Sequence, residues 1–469
     1  MFVRSERINT SALCDFFSRC RTRDVQLHAL VLYRGGTLLA KCAVAPHATD
    51  SKRQLYSMSK SFTATAVGFA VQEGLLDVRD RAADYFPDRL PGDAGEWARA
   101  LTVQDLLTMR SGHAADVMPE MIRAFDPVSG FFSQPALHQP GAWFCYNNGC
   151  TYLLSILVTA LTGQTLFDYL TPRLFRPLGV TGAYWDAEHG CSLGALGLHL
   201  SCEDAAKLGL LYLQEGVYNG RRLLPAAWCR EALAPHADNT GGVPQPQSDW
   251  AQGYGYQFWN GLDGVKRADG AFGQFVLMDG RTDTVLALFG ESGDTQRMLD
   301  EARLFLSRVY TPDDTPMAAL EPLLSPAPPL ASTGQTIGWL GKTYRMEPNP
   351  FGITTSRFTL EDGRLLWHIS DGERTQQLAA GADEWAISPL TLRMAKPNLL
   401  RLDCVSSTDI AACYRLEEDT ALLFWHYLNT PHQAEVRVWE QQETLHVEIQ
   451  PRMEVLDESA KRLTGRRLA

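Results

Sequence analysis

Grouped positive charge is scarce in this sequence. Its 43 Lys and Arg are outnumbered by 54 Asp and Glu, the net charge is −11, and the basic residues form no cluster. Binding nucleic acid requires grouped cations to neutralise phosphates, so no nucleic-acid partner is expected. The same deficit disfavours an anionic membrane surface. No uninterrupted apolar run approaches about 18 residues, so no helical membrane span is expected either. The ten cysteines form no CxxC pair and are scattered through the chain, as buried thiols are and as disulfide frameworks and zinc clusters are not. The eleven histidines include no HExxH, and no phosphate-cradling Gly-rich loop occurs. No metal and no cofactor are therefore expected. No apolar segment follows the early charges of Met1–Asn9, so the expected location is cytoplasmic.

What is present is a long chain of ordinary globular composition. Its 469 residues are 45% apolar and 21% charged, which excludes global disorder and suggests two to four domains or subdomains. Residues 8–20 have the apolar spacing of an amphipathic helix. Leu27–Tyr33 and Thr37–Val44 read as a hairpin about Gly35-Gly36. A helical run begins near Ser57. From about 80 to 240, helix patterns such as Thr102–Arg110, Asn148–Leu161, Thr165–Leu174 and Cys202–Glu215 are punctuated by Gly and Pro. Strand character returns at Gly255–Asn260, Ala271–Met278 and Thr284–Phe289, with a turn pair at Asp279-Gly280, and Thr295–Tyr310 reads as a helix. Six prolines between 311 and 334 mark an extended linker. Beyond it, 335–455 alternates strand-like runs with turn pairs, the pattern of an all-β module. These runs include Leu365–Ile369, Leu399–Val405, Ala421–Tyr427 and Thr444–Ile449.

Chemistry concentrates first at Ser57-Met58-Ser59-Lys60. Residues three apart share a helix face, so the Ser57 hydroxyl would stand beside the Lys60 amine. The helix N-terminus favours negative charge developing on that oxygen, and a desolvated lysine can take its proton. Tyr146-Asn147-Asn148 opens a later helix. A tyrosinate beside a lysine ammonium can serve as general base. The competing reading of this stretch is a turn with Asn148 as helix N-cap.

The order SxxK, then YxN roughly ninety residues on, then a Gly-rich strand after a helical insertion resembles the serine β-lactamase and penicillin-binding-protein family. The likeness is to class C β-lactamase-like serine hydrolases, esterases and D-aminopeptidases among them. It extends to Gly74-Leu75-Leu76-Asp77, to Leu101–Thr108 followed by Ser111-Gly112, to Phe175–Thr181 and to Asp204–Gly209, and spans about residues 25–310. The resemblance implies an α+β, β-lactamase/transpeptidase-like fold over 1–310. An antiparallel sheet would be flanked by helices, with a helical subdomain inserted at about 80–245. The Pro-rich linker 311–334 would then lead to an all-β barrel or sandwich at 335–469.

The resemblance also implies roles. Ser57 would be the acylated nucleophile. Lys60 and Tyr146 would share base and acid work, and Asn148 would contact substrate or Lys60. Backbone N–H groups of Ser57 and Gln274 would form the oxyanion hole, with Gly273 permitting close approach. The substrate would be a small molecule or short peptide with an ester or amide bond. A catalytically weak binding or sensing protein on the same scaffold, or a true β-lactamase or D,D-peptidase, are the alternatives. One departure bears on them: the family's third motif is Lys-Thr-Gly or His-x-Gly, whereas this chain has Gly270-Ala271-Phe272-Gly273. Ala271 offers no cation for a substrate carboxylate, unless Lys266 or Arg267 reaches in. His113 reads as a surface-loop residue at the pocket border, and Cys145 as a structural thiol. Trp250, Tyr254, Tyr256, Phe258 and Trp259 read as core or pocket wall.

Overall fold

A computed structural model describes residues 1–92, 94–326, 337–393, 405–453 and 461–468. These divide into two units, Met1–Ala43 with Thr49–Met317, and Val44–Ala48 with Ala318–Ala469. The first unit is built on an antiparallel sheet whose strands come from both ends of the unit. β1 (Gln26–Arg34) and β2 (Thr37–Ala43) form the early hairpin, and β3 (Trp259–Asn260), β4 (Lys266–Gly270), β5 (Gln274–Asp279) and β6 (Thr284–Glu291) follow the helical region. The order is β2-β1-β6-β5-β4-β3, with Phe2–Val3 pairing outside β2. Strands β4, β5 and β6 are buried along almost their whole length, because both faces of the sheet are covered.

The helices that cover it follow from sequence. α1 (Thr10–Thr22) is capped by the Asn9 side chain, and α6 (Thr295–Arg308) by that of Asp294. They lock together through stacked Phe16 and Phe305, 5.0 Å between centroids, and through the Arg19–Glu301 ion pair at 2.6 Å. α5 (Cys202–Leu213) lies on the opposite face. A Cβ at its Gly209 would stand 2.6 Å from a Val276 methyl, so glycine sets how closely α5 approaches β5. Met298 of α6 instead meets the Gly290 side of β6, and alternation along the strand puts these contacts on opposite faces. Central to the unit is α2 (Ser59–Gln72), buried from Ser59 to Ala70. α4 (Asn148–Thr162) packs beside it, and α3 (Val103–Leu107), held by a reciprocal Thr102–Asp105 capping box, packs against α4.

Several elements differ from the sequence expectation. The helix expected over Thr102–Arg110 is cut to α3, since Met109 takes a left-handed φ of 59°. The strand expected at Ala271–Met278 is a turn followed by β5. Phe272 (φ 66°) and Gly273 (φ 97°) reverse the chain there, and β4 precedes them. Of the aromatic stretch Gly255–Asn260, only Trp259–Asn260 is strand. Part of the linker, 327–334, and most of Leu399–Val405 lie outside the described residues, while Met317–Leu320 and Glu321–Leu324 form short helical turns.

The second unit holds strands β7 (Thr343–Met346), β8 (Thr355–Glu361), β9 (Arg364–Ser370), β10 (Thr375–Gly381), β11 (Ala386–Arg393), β12 (Val405–Glu417), β13 (Thr420–Tyr427), β14 (Gln433–Gln441), β15 (Thr444–Pro451) and β16 (Lys461–Arg467). Nine of them close into a barrel in the order β10-β9-β8-β7-β16-β15-β14-β13-β12. Gly381 of β10 pairs with Cys413 of β12 to complete the ring, and β11 flanks β12. Closure removes the open edges that a sheet of this length would expose. Alternating inward residues, among them Trp367, Trp425, Phe358, Val436 and Val447, fill the interior. Among the described residues no single helix is long and apolar enough to cross a membrane.

Candidate active site

Between Arg53 and Ala70 every residue is buried except Ser57. It lies in a single 3₁₀ turn, Tyr56–Met58, immediately before α2. The turn is entered through Tyr56 with φ 50°, a conformation that a bulky aromatic rarely adopts and that places Ser57 at the head of the helix. Tyr56 is held there by burial and by an edge-on contact with Phe272, 5.2 Å between centroids.

Lys60, one turn further on, is 1% exposed. Its Nζ donates to Ser57 Oγ at 2.8 Å and to the Ala195 carbonyl at 2.9 Å. It also stands over the Tyr146 ring, 4.8 Å from the centroid. Burial disfavours the ammonium and pulls the Lys60 pKa down to about 7, against a smaller opposing pull from the Asp116 carboxylate. Tyr146 behaves in the opposite sense. Burial holds its phenol well above the ordinary tyrosine value, a hydrogen bond with Ser57 lowers it, and the charges of Asp269 and Asp116 raise it. Tyr146 is therefore a neutral phenol near pH 7, and the amine that titrates there is Lys60. The tyrosinate expected from sequence is not the form these surroundings favour.

The residues around Tyr146 partly depart from expectation. The N-cap of α4 is Asn147, whose side chain accepts from Gly149 N at 2.9 Å and from Val117 N at 3.1 Å. Asn148 points its amide to Asp116, Nδ2 to Oδ2 at 2.6 Å. Asp116 was not singled out from sequence, since an isolated aspartate in a loop carries no motif. Trp259 stacks on Tyr146 at 5.3 Å, while Tyr254, Tyr256 and Phe258 are core residues and Trp250 lies 5.3 Å beneath the Arg267 guanidinium.

Ser57, Lys60 and Tyr146 are thus brought together. Gly273 and Gln274 come at the close of the turn that follows β4. Gln274 is fully buried on β5, its side chain donating to the Gly290 carbonyl at 2.7 Å, and a Cβ at Gly273 would meet Met298 on the α6 side. Both β4 and β5 border the Tyr56–Met58 turn, and β4 approaches it closely. A Cβ at Gly270 would come within 2.1 Å of the Leu55 carbonyl, two residues before Ser57. Nor do the nearby cations reach in. Arg267 is 0% exposed and is bound by Asp249 and Asp269, both at 3.1 Å, and Lys266 is bonded to Asn260.

His113 is buried rather than on a surface loop. It bonds Ser111 at 3.0 Å, packs on Trp97 and Phe131, and is pushed down to about 4 by burial. The Cys145 thiol is raised by burial and by Asp116, the wrong direction for a nucleophile.

A profile of the Beta-lactamase family matches residues 24–307. Penicillin-binding protein 4 of Amycolatopsis lactamdurans is 28% identical over 294 residues, 54% of this chain and 74% of that protein. The 6-aminohexanoate-dimer hydrolase of Paenarthrobacter ureafaciens is 26% identical over 296 residues, 57% of this chain and 73% of that one. Among solved structures, the octameric penicillin-binding protein homologue from Pyrococcus abyssi has a TM-score of 0.51 at 14% identity. It covers 97% of this chain and 99% of that one, a likeness of fold.

Proposed function

Because the chain belongs to the beta-lactamase family, we propose that it is a serine hydrolase that cleaves an ester or amide bond through an acyl-enzyme on Ser57. The observation that carries this reading is the 2.8 Å contact between Ser57 Oγ and a fully buried lysine drawn down to about 7. Once Nζ is neutral, the contact reverses and the hydroxyl donates to the amine. Ser57 Oγ then attacks the carbonyl carbon as its proton passes to Lys60. Tyr146, a neutral phenol bonded to Ser57, then protonates the departing alcohol or amine and recovers the proton from Lys60. Water hydrolyses the ester that remains, by the same steps in reverse.

The oxyanion of each tetrahedral intermediate needs two donors fixed before reaction. One is the Ser57 N–H. The second is drawn from the end of β4, at Gly270 or Ala271, in place of Gln274, because that is the strand end running beside the nucleophile turn. A neutral or non-carboxylate substrate fits best. Ala271 supplies no cation, and Arg267 and Lys266 are engaged elsewhere. β-Lactams and D-Ala-D-Ala peptides, which present a carboxylate, should rank below neutral esters and amides. A binding or sensing role would fit a site whose three groups were splayed apart, and here they are in contact.

The test is a fluorophosphonate probe followed by intact mass. A wild-type adduct that disappears in Ser57→Ala supports the reading. Absence of any adduct, together with no turnover on a panel of esters and D-amino-acid amides, overturns it.

A further inference from the structure

The Ser57–Lys60–Tyr146 contacts bring together segments that lie far apart in the chain. Lys60 rides on α2, Tyr146 precedes α4, and the loop reaching Asp116 leaves the end of α3. We propose that Gln257 is the positioning residue that fixes α2, α3 and α4 against one another and so holds the catalytic amine, hydroxyl and phenol in contact. This rests on the hydrolase reading above.

Gln257 is 2% exposed, in the loop before β3. Its polar groups go to three different helices. The backbone carbonyl accepts from Ser61 Oγ at 2.8 Å, and Ser61 is the residue after Lys60. The side-chain oxygen accepts from Thr151 Oγ1 at 2.6 Å, on the first turn of α4. The side-chain nitrogen donates to the carbonyls of Leu107 at 2.8 Å and Leu106 at 3.2 Å. These are carbonyls at the C-terminal end of α3, which lack partners within a helix. The backbone N–H also donates to Leu107 O at 3.1 Å. A glutamine serving only as polar filling would be satisfied within one element. This one joins the three that carry or border the site.

The backbone supplies a second, independent observation. Gln257 has φ 61°, in the left-handed region where glycine is the easy occupant. A glutamine held there against that preference points to a role for its side chain. Ser61, Thr151 and Gln257 are all fully buried, so no water substitutes for these bonds in the folded protein.

The consequence for Lys60 is electrostatic. It is faced by Ser57 Oγ and the Ala195 carbonyl, by the Tyr146 ring, by the Cys150 thiol of α4 and by the Asp116 charge. Its depressed pKa comes from dry packing between α2 and α4, which the clamp maintains. Loosening the clamp admits water and lets the ammonium return.

The experiment compares kcat, KM, the acidic limb of the kcat–pH profile and thermal stability on a reactive ester for wild type, Q257E, Q257G, T151V and T151S. Q257E keeps the shape but removes both donors. Q257G removes the side chain while easing the backbone. Both should lose about 10²-fold in kcat, the scale of an ångström-sized misplacement, with KM changed less than about threefold. Their acidic limb should move up from about 7 towards the ordinary lysine value. T151V should show a smaller loss of the same sign, and T151S should restore wild-type behaviour. Folded Gln257 variants with wild-type kcat and acidic limb, or changed only in melting temperature, overturn the clamp and leave the hydrolase reading standing. Should the Gln257 variants not fold, the T151V and T151S pair decides by the same criteria. A wild type without adduct or turnover overturns the hydrolase reading, and the clamp with it.

Discussion

At the scale of the residue, burial brings a lysine amine into the range where it can act as a base. Lys60 needs no altered covalent chemistry, since removal of water from Nζ brings it to about 7. Two measurements follow. In the proposed mechanism activity requires the neutral amine, so kcat should rise with pH through about 7 and level above it. Stability should follow the same sign. Between about 7 and the ordinary lysine value of 10.5 the unfolded chain binds a proton that the folded one does not, so the fold should gain stability as pH rises across that window. Denaturant unfolding at several pH values, compared with Lys60→Met, checks this, since the variant should lose that slope. Tyr146→Phe removes the proposed proton donor and leaves the ring against Trp259. Its kcat should fall by about 10²–10⁴ with little change in melting temperature. Ser57 and Lys60 were legible in the sequence because their spacing alone puts them on one helix face. Asp116 and Gln257 were not, because their partners lie 32 and up to 196 residues away.

At the scale of the element, short turns place the chemistry. The nucleophile turn and the end of β4 are in backbone contact at Gly270, where a Cβ would stand 2.1 Å from the Leu55 carbonyl. Gly270→Ala should displace one or the other and lower kcat by at least about tenfold, whereas Gly92→Ala, with nothing within 4 Å, should be neutral in the same assay. Helix α3 is short, and its capping box supplies much of its definition. Thr102→Ala should cost about 1 kcal/mol in chemical denaturation. The boundaries of the long helices were readable from apolar period and caps, as α1, α4 and α6 show. The turn at Phe272-Gly273 was not. Aromatic residues at positive φ carry no sequence signal, so the expected strand took in the turn residues Ala271–Gly273 together with β5, and β4 before the turn was not foreseen as a separate strand.

At the scale of the whole molecule, the sheet of the first unit is tied together by charge as well as by apolar burial. Arg267 of β4 joins Asp249 and Asp269, and Arg303 of α6 also binds Asp249. Removing one partner leaves buried charges uncompensated, so Arg267→Met should cost about 3–5 kcal/mol in equilibrium unfolding. Composition, hydrophobic period and the spacing of SxxK and YxN determined the fold class, the all-β character of the second unit and the choice of the three side chains that meet at Ser57. These properties are local, written within a turn or a strand, and a chain states them before it folds. Which strand ends border the Ser57 turn, which cations are bound elsewhere, and how dry Lys60 becomes were decided only by tertiary structure. Each depends on groups from distant parts of the chain excluding water together, and no local pattern encodes that exclusion.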